Sequence, residues 1–401
     1  MWTTSCRCVA LLLMLCFAGS PALAQKRYGP GVTDTEIKIG QTMPYSGPIS
    51  AYGAIGRAQL AYFAKVNAEG GINGRKITLI SLDDGYNPAK TVEAARRLVE
   101  QDDVLFLFSS VGSATNLAIR KYLDAHRVPH LFVAGGDSGW ADYSHFPWMI
   151  GWLPAYQLEA GLYAKDILKT RPQARIGLLY SADDYGRDYA EGFKKALGDK
   201  AATMIVSEQT FQWSDPTVDS QIFTLKASGA DTLFSAMGGK HASQAIRRMA
   251  EIGWRPLHYT GVPSTSIKGI LEPAGLDNAV GLISAYYAKS VDDPIWKDDP
   301  AIKAYFAWAK KYYEGDPQDA IAVFGYQVAQ ALEYVLRRCG DDLTRENVMR
   351  VATSMENVEF PMLLPGVRAN TTPTDYHPIK QFQMMKFNGR NWVFVGGIVG
   401  F

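Results

Sequence analysis

The most constraining feature of this 401-residue chain is a regular alternation of short β-rich runs with stretches of helical periodicity. The runs Glu36–Pro44 and Lys76–Asp84 read as strands, and Ala51–Ala68 between them has apolar residues at helical spacing. Val104–Ser110 is apolar on both faces, as a buried parallel strand is. This alternation predicts βαβ units and a mainly parallel sheet covered by helices on both faces.

The alternation runs through the chain twice, which predicts two similar α/β lobes. The first run ends with a strand at Pro147–Trp152, and the second begins with a helix at Tyr156–Thr170. No low-complexity linker or run of charges separates them. In the second run Ala202–Thr210 is predicted to be a strand, and Asp215-Pro216 predicts the start of a helix, as its N-cap and first residue.

The C-terminal third of the chain departs from this simple alternation. One more strand is predicted at Val280–Tyr287, followed by helices at Asp299–Tyr313, Ala320–Cys339 and Thr344–Met355. The last residues are β-rich, and the pair Asn388-Gly389 lies between two apolar runs. Because this pair suits a tight turn, the tail is predicted to form a hairpin.

The N-terminal residues 1–24 predict a secretory signal peptide. Arg7 precedes an apolar run at Val9–Ala18, and Ala22-Leu23-Ala24 has the small-residue pattern of a cleavage site. The apolar run is too short to span a bilayer, and Cys16 lacks the small residues before it that a lipid anchor needs. We expect a periplasmic protein cleaved after Ala24, and a buried N-terminal helix is the alternative.

Charge and cysteine content narrow the class of partner. Removal of residues 1–24 takes away Arg7 and leaves 40 basic and 40 acidic residues. Nucleic acid and anionic membranes both select basic surfaces, so neither is expected as a partner. Cys339 would then be the one remaining cysteine and cannot form an internal disulfide. The remaining chain is long enough for two domains held together by their own cores.

Loops after the predicted strands are the natural place to look for a ligand site, because ligands bind beyond the carboxyl ends of parallel strands. The loop Val111–Asn116 is rich in hydroxyl groups, and its backbone N–H groups at a helix N-terminus are predicted to bind a carboxylate. Ordinary N-capping by Ser113 or Thr115 is the alternative. The loop Gly135–Trp140 consists mostly of small residues, which let the backbone approach a ligand or simply form a turn.

Catalytic and metal-binding templates are missing from the sequence. Gly136-Asp137-Ser138-Gly139 resembles the nucleophile segment of trypsin-like proteases, but it closes a βαβ unit instead of lying in an antiparallel barrel. Nucleotide-binding glycine motifs and the H-E-x-x-H metal motif do not occur. His126 and His130 have no acidic or cysteine cluster nearby, and the adjacent Asp83 and Asp84 point to opposite faces of a strand. We therefore expect no enzyme activity, no metal and no cofactor.

Four short motifs occur together in the order found in one known family: Met43-Pro44-Tyr45-Ser46-Gly47-Pro48, Asn67-Ala68-Glu69-Gly70-Gly71-Ile72-Asn73-Gly74, Asp83-Asp84 followed by Pro88, and Asp183-Asp184-Tyr185-Gly186. They resemble the leucine/isoleucine/valine-binding protein family, the periplasmic receptors of branched-chain amino-acid ABC importers. The resemblance covers about Glu36 to Phe394. It implies a type I periplasmic-binding-protein fold: two Rossmann-like lobes with mainly parallel sheets, joined by three crossovers around a ligand cleft.

The resemblance also implies how the chain is divided and which residues meet the ligand. Residues 25–153 and 283–365 would form the first lobe, and residues 154–282 and 366–401 the second. Contacts from the first lobe would come from the two small-residue loops, and Tyr185 would supply an aromatic contact from the second lobe. The predicted ligand contacts are Gly112, Ser113, Thr115, Ala134, Gly135, Gly136, Asp137, Trp152, Tyr185, Lys240 and Pro263.

Two departures from the family pattern concern the ligand. Members selective for amino acids hold the ammonium with a glutamate, but the matching loop here, Gly261–Ser264, contains no acid. A buried ammonium needs an opposite charge, so either Asp137 or Asp83 supplies it or the ligand has no amino group. Lys240 stands where the family has a tyrosine, which favours a second acid group or an aromatic carboxylate. Trp152 and Tyr156 would offer apolar walls for a ring, with packing at the hinge as the alternative.

The sequence thus predicts the solute-binding component of an ABC importer, which captures a small carboxylate-bearing solute, either an amino acid or an aromatic or aliphatic acid. Closure of the two lobes around the ligand would let the protein dock on the membrane subunits of a permease. We expect a monomer. A ligand-sensing receptor of the same fold is the alternative, and an enzyme acting in the cleft is the third possibility.

Overall fold

The computed structural model describes residues 26–400, so the predicted signal peptide lies outside the described residues. Fourteen strands occur in this part of the chain: β1 (Arg27–Tyr28), β2 (Glu36–Met43), β3 (Lys76–Asp83), β4 (Leu107–Phe108), β5 (His130–Val133), β6 (Met149–Gly151), β7 (Ile176–Ser181), β8 (Ile205–Phe211), β9 (Thr232–Ala236), β10 (Leu257–Thr260), β11 (Ile283–Tyr286), β12 (Asp342–Leu343), β13 (Gln381–Phe387) and β14 (Trp392–Gly400).

Helices cover the sheets that these strands form, and in the described residues they are α1 (Gly53–Ala68), α2 (Pro88–Glu100), α3 (Ser113–Ala125), α4 (Tyr156–Thr170), α5 (Asp184–Leu197), α6 (Ala201–Met204), α7 (Asp219–Ala227), α8 (Gly239–Glu251), α9 (Glu272–Ala274), α10 (Pro300–Tyr312), α11 (Ala320–Cys339) and α12 (Arg345–Ala352). Several begin on side-chain caps. Asn87 accepts the N–H groups of Ala89 and Lys90 at α2, where Pro88 occupies the first position. Among residues 26–400, no helix is long and apolar enough to cross a membrane.

The first sheet has five strands in the order β3-β2-β4-β5-β6, and all of its pairings are parallel. The predicted strand Val104–Ser110 is reduced to the two residues of β4. Ser109 has φ +52°, which takes the backbone out of the extended region and ends the ladder. Parallel pairing through β11-β10-β9-β7-β8 also builds most of a second, seven-stranded sheet. The prediction of mainly parallel α/β sheets is confirmed.

The hairpin at the end of the chain completes the second sheet. β13 pairs antiparallel with both β11 and β14, and the order across the sheet is β14-β13-β11-β10-β9-β7-β8. Residues 283–286 therefore belong to this sheet, whereas the predicted boundary at residue 283 assigned them to the first lobe. The chain returns toward the first sheet only after Tyr286. The other lobe boundaries stay predictions.

Two predicted elements of the second lobe were wrong in part. Residues 201–204 form the short helix α6, so the strand predicted from Ala202 begins only at Ile205. The helix predicted to start after Asp215 begins at Asp219. Asp215 does not act as its cap because its carboxylate accepts the backbone N–H of Gln212, 2.8 Å away, and forms a turn on the other side.

Separate apolar cores stabilise the two sheets. The largest cluster joins β2, β4 and β5 to α1, α10 and α11, and a smaller one packs α2 and α3 on the opposite face of the first sheet. The two faces of the second sheet have their own clusters, one with α7 and α8 and one with α4 and α5. This arrangement is a two-lobe fold in which the carboxyl ends of both sets of parallel strands face a shared cleft.

Candidate ligand-binding cavity

A cavity of about 100 Å³ lies in the cleft, where the loops after the strands of both sheets meet. The first sheet contributes the loops after β2 to β6, and the second contributes those after β7 to β10 together with Tyr286 at the end of β11. The start of α11 closes one side. The lining residues are Ile49, Tyr52, Ile55, Tyr86, Val111, Gly112, Ala134, Leu153, Tyr156, Tyr185, Trp213, Met237, Gly238, Val262, Pro263, Thr265, Ser266, Tyr286, Ala320, Ile321 and Phe324.

The walls of this inner cavity are apolar and aromatic, and none of the described residues that line it carries a charge. Most of its polar side-chain atoms already have partners. The Tyr52 hydroxyl donates to the carbonyl of Pro263 at 2.6 Å, and the Tyr185 hydroxyl donates to the carbonyl of Met237 at 2.8 Å. Thr265 donates to the carbonyl of Val262 at 2.8 Å. A ligand here gains mainly from apolar contact and aromatic surface.

Four of the predicted contact residues line the inner cavity: Gly112, Ala134, Tyr185 and Pro263. They come from four different loops, two in each lobe, and the fold brings them together because each follows a parallel strand. Lys240 lies elsewhere. It lines a larger, open cavity of about 960 Å³, here called the outer groove, together with Arg247 seven residues further along α8.

The other predicted contacts are buried behind the cavity wall and are not among its lining residues. The Ser113 hydroxyl is buried beside the Asp137 carboxylate, whose pKa it acts to lower, and Thr115 donates to the carbonyl of Val111 at 2.7 Å, in the loop before its helix. A Cβ on Gly135 would lie 3.6 Å from Trp140 Nε1, and a Cβ on Gly136 would lie 2.3 Å from the carbonyl of Pro154. The glycines at both positions therefore face protein atoms.

Asp137 and Trp152 also contact other protein groups and are not among the residues that line the cavity. The Asp137 carboxylate accepts the N–H of Gly139 at 2.9 Å and caps a short 3₁₀ turn. Burial raises its pKa to about 6, and the nearby carboxylate of Asp188 acts in the same direction. Trp152 is completely buried and lies between Phe132 and Phe360, with ring centroids 5.2 and 5.4 Å away.

Gly112 lines the cavity, and its lack of a side chain makes room for a neighbouring aromatic ring and not for a ligand. Its φ is +103°, a region that favours glycine, and a Cβ there would lie 2.3 Å from Cε2 of Tyr86. The ring of Tyr86 thus lies directly over Gly112. The N–H of Gly112 donates to the carbonyl of Ala134 at 3.2 Å.

Neither acid that the sequence offered for an ammonium lines the cavity. Asp83 is exposed and accepts hydrogen bonds from Ser46 and Gly85, and Asp137 is engaged as described above. Three other carboxylates bond to the wall from outside the lining: Asp183 accepts from Tyr86 and Trp213, and Asp319 accepts the hydroxyl of Ser266. The third is Glu159 on α4, which sequence reasoning missed. It accepts the N–H of Val262 at 2.8 Å from behind the wall.

Glu159 is only 2% exposed and has three donors. The Tyr163 and Tyr189 hydroxyls each donate to it at 2.6 Å, in addition to the N–H of Val262. Burial raises its pKa to about 7, while these three hydrogen bonds act to lower it. A lone glutamate among apolar positions of α4 was the available signal, but its partners lie 4, 30 and 103 residues away.

The described residues contain no group of three or more histidine, cysteine or acidic side chains placed to hold a metal ion. The apolar and aromatic walls of the inner cavity suit an organic molecule held by shape and apolar contact.

Comparison with known sequences places this arrangement among solute receptors. A family model described as periplasmic binding protein matches residues 36–391. The Leu/Ile/Val-binding protein homolog 3 of Brucella melitensis is 23% identical over 82% of this chain and 85% of its own length. An amino acid binding protein of Pseudomonas aeruginosa is 25% identical over 54% of this chain and 58% of its own length.

Solved structures share the fold over nearly the whole chain. A branched chain amino acid ABC transporter protein from Thermus thermophilus with bound valine has a TM-score of 0.82 at 17% identity, covering 92% of this chain and 97% of the other. A fatty acid ABC transporter substrate-binding protein from Thermomonospora curvata has a TM-score of 0.78 at 21% identity, covering 94% and 95%.

Proposed function

This chain belongs to the periplasmic binding protein family, and from that premise we propose that it is the solute-binding component of an ABC importer of the branched-chain amino-acid type. Its ligand would be a small organic acid without an ammonium group. The ligand would enter the open cleft and be enclosed in the inner cavity when the lobes close. The closed, monomeric protein would then dock on the membrane subunits of the permease.

The observation that carries this proposal is the apolar cavity, whose described lining residues carry no charge. A free amino acid would bring its ammonium out of water without a carboxylate partner, which is heavily penalised. The carboxylates that bond to the wall are already engaged: Glu159 accepts three hydrogen bonds from behind Val262, Asp183 accepts four, and Asp319 caps α11. An aromatic or aliphatic acid avoids this cost, because it needs a partner only for its carboxylate.

The first turn of α3 is the proposed place for that carboxylate. Gly112 caps this helix without a side-chain hydrogen bond, so the N–H groups of the first turn have no side-chain acceptor. The hydroxyl of Ser113 lies in the same turn, beside the Asp137 carboxylate whose pKa it acts to lower. Backbone donors and a hydroxyl at a helix N-terminus form a favourable environment for an anion.

Isothermal calorimetry tests the proposed ligand class. We expect 4-hydroxybenzoate, phenylacetate or octanoate to bind at least tenfold more tightly than leucine or phenylalanine, because an unpaired buried ammonium costs more than the 1.4 kcal/mol that corresponds to about tenfold. Octanoate belongs in the series because the structurally similar T. curvata protein is described as the substrate-binding protein of a fatty acid ABC transporter.

The contrary result would be that leucine binds more tightly than every acid tested. If that affinity were also lost in Asp137→Asn, the amino-acid specificity would have moved to Asp137, and the proposed ligand class would be wrong. The enzyme alternative has its own readout. Mass spectrometry of the ligand after incubation with the protein should recover it unchanged, and a chemically altered ligand would indicate catalysis.

Export is the second part of the proposal that can be measured directly. Protein recovered from the periplasm should begin at Gln25, because the pattern Ala22-Leu23-Ala24 suits cleavage after Ala24. Intact-mass analysis distinguishes this form from the full chain. A periplasmic protein that still carries Arg7 would contradict the signal-peptide assignment.

A further inference from the structure

The inner cavity and the outer groove share two lining residues, Tyr86 and Trp213. Tyr86 follows β3 in the five-stranded sheet, and Trp213 follows β8 in the seven-stranded sheet. The two rings meet edge to face, with centroids 5.7 Å apart and planes at 83°. They therefore form a partition between the two cavities, and each lobe supplies one half of it.

One carboxylate joins the two halves of the partition. Asp183 Oδ2 accepts the indole N–H of Trp213 at 2.7 Å and the hydroxyl of Tyr86 at 3.3 Å. Asp183 is itself held in place, because its other oxygen accepts the hydroxyl of Ser181 and the N–H of Gly186 at the start of α5. Trp213 and Asp183 thus form a fixed pair on the second lobe, and the longer bond to Tyr86 is the one that crosses between lobes.

Tyr86 is held in an unusual backbone conformation that directs its ring into the partition. Its φ is +57°, which is rare for a bulky residue. The Asp84 carboxylate accepts the N–H of Tyr86 at 2.9 Å and stabilises this turn. A strained conformation that the surrounding structure maintains points to a functional constraint. The glycine at position 112 fits the same requirement, because only a residue without Cβ leaves room for the ring.

We infer that Tyr86, Trp213 and Asp183 form a latch between the lobes, which holds the cleft closed and separates the inner cavity from the outer groove. Opening of the latch breaks the Tyr86–Asp183 hydrogen bond and parts the two rings, while the Trp213–Asp183 pair stays with the second lobe. The latch works in the ligand-free protein as well, so that a fraction of the molecules is closed before a ligand arrives. It thereby controls access to the inner cavity.

The test measures the separation of the lobes without any ligand. Nitroxide labels are attached through Glu93→Cys on α2 and Ser220→Cys on α7, which are exposed positions on opposite lobes. Cys339 is buried and is therefore protected from labelling. Double electron–electron resonance should show a short-distance population in the parent protein. We expect Tyr86→Phe to lower the ratio of closed to open molecules by about tenfold, as loss of a hydrogen bond to a charged group implies.

Two further variants separate the latch from a loss of stability. Asp183→Asn keeps a good N-cap for α5 but presents an amide N–H₂ where the indole and hydroxyl need an acceptor, so it should open the cleft to a similar extent. Tyr122→Phe is the matched control. It removes a hydroxyl that donates to Glu100 at 2.8 Å within the first lobe, and it should leave the distance distribution unchanged.

The latch would be disproved if Tyr86→Phe and Tyr122→Phe gave the same distance distribution, or if the parent protein showed no short-distance population. Because no ligand is used, these outcomes are independent of the calorimetric test of the ligand class. A protein that binds none of the acids tested would still reveal whether the latch exists.

Discussion

Replacing Trp152 with alanine is expected to lower the free energy of unfolding by about 3–5 kcal/mol, the range for large-to-small substitutions of aromatic residues in a core. The side chain is completely buried and has edge-to-face contacts with Phe132 and Phe360. Its removal takes away these contacts and leaves a cavity in the packed core. Chemical denaturation followed by circular dichroism measures the change.

Trp148 provides a matched control four residues earlier. It is only half-buried at the edge of the same core, so Trp148→Ala should cost about half as much or less, since the loss scales with buried apolar area. Equal losses for the two variants would contradict the assignment of Trp152 to the core. Trp152→Phe adds a binding test. If the residue were a wall of the ligand site, this variant would weaken ligand binding, whereas the described packing predicts unchanged affinity.

The fold was predictable because the signal is repeated along the chain. Each βαβ unit shows a short apolar run, a turn and a helical period, and α4 and α11 have the bounds that the periodicity predicts. The errors occur where a side chain forms a local bond that competes with the pattern. Asp215 looks like a helix cap by type and by its following proline, yet it binds the N–H of Gln212 and delays the helix to Asp219.

The loops that line the candidate cavity could be predicted from the sequence, but the directions of their side chains could not. The rule that ligands bind at the carboxyl ends of parallel strands leads to Gly112, Ala134, Tyr185 and Pro263, all of which line the cavity. It does not give the direction of each side chain, so Trp152, which directly follows β6, was predicted to be a wall although it is buried in the core. Hydrogen bonds between residues far apart in the sequence could not be predicted either, because they depend on the same side-chain directions.

Among the hydrogen bonds between residues far apart in the sequence, those of Glu159 have the largest expected effect on stability. We expect Glu159→Gln to stabilise the protein relative to the parent at neutral pH and to leave its stability nearly unchanged at pH 4. Burial raises the folded-state pKa of this carboxyl from its ordinary value of 4.5 to about 7. A pKa difference of this size corresponds to about 3 kcal/mol. This is the gain in the free energy of unfolding that we expect for the variant near pH 7.5, where the effect is largest.

The sign follows from proton binding. Between pH 4.5 and 7 the native protein keeps a proton on Glu159 that the unfolded chain has already released, so stability from this group falls as the pH rises through that window. His130 and His258 have the opposite effect, because burial lowers the pKa of each to about 3 and stability is lost as the pH falls below 6.5. Both histidines remain in the variant, so their contribution cancels when the two pH profiles are subtracted.

Urea denaturation of both proteins from pH 4 to pH 7.5 gives the difference profile, which should rise by about 3 kcal/mol with pH. A flat difference would contradict a buried, strongly shifted carboxyl at this position. The same substitution should weaken ligand binding, because a neutral amide holds the N–H of Val262 less strongly than a carboxylate does. Val262 lines the inner cavity, so we expect the affinity for the best-bound acid to fall by about fivefold at pH 7.5, roughly 1 kcal/mol. Unchanged affinity together with the expected gain in stability would show that Glu159 stabilises the lobe without positioning the cavity wall.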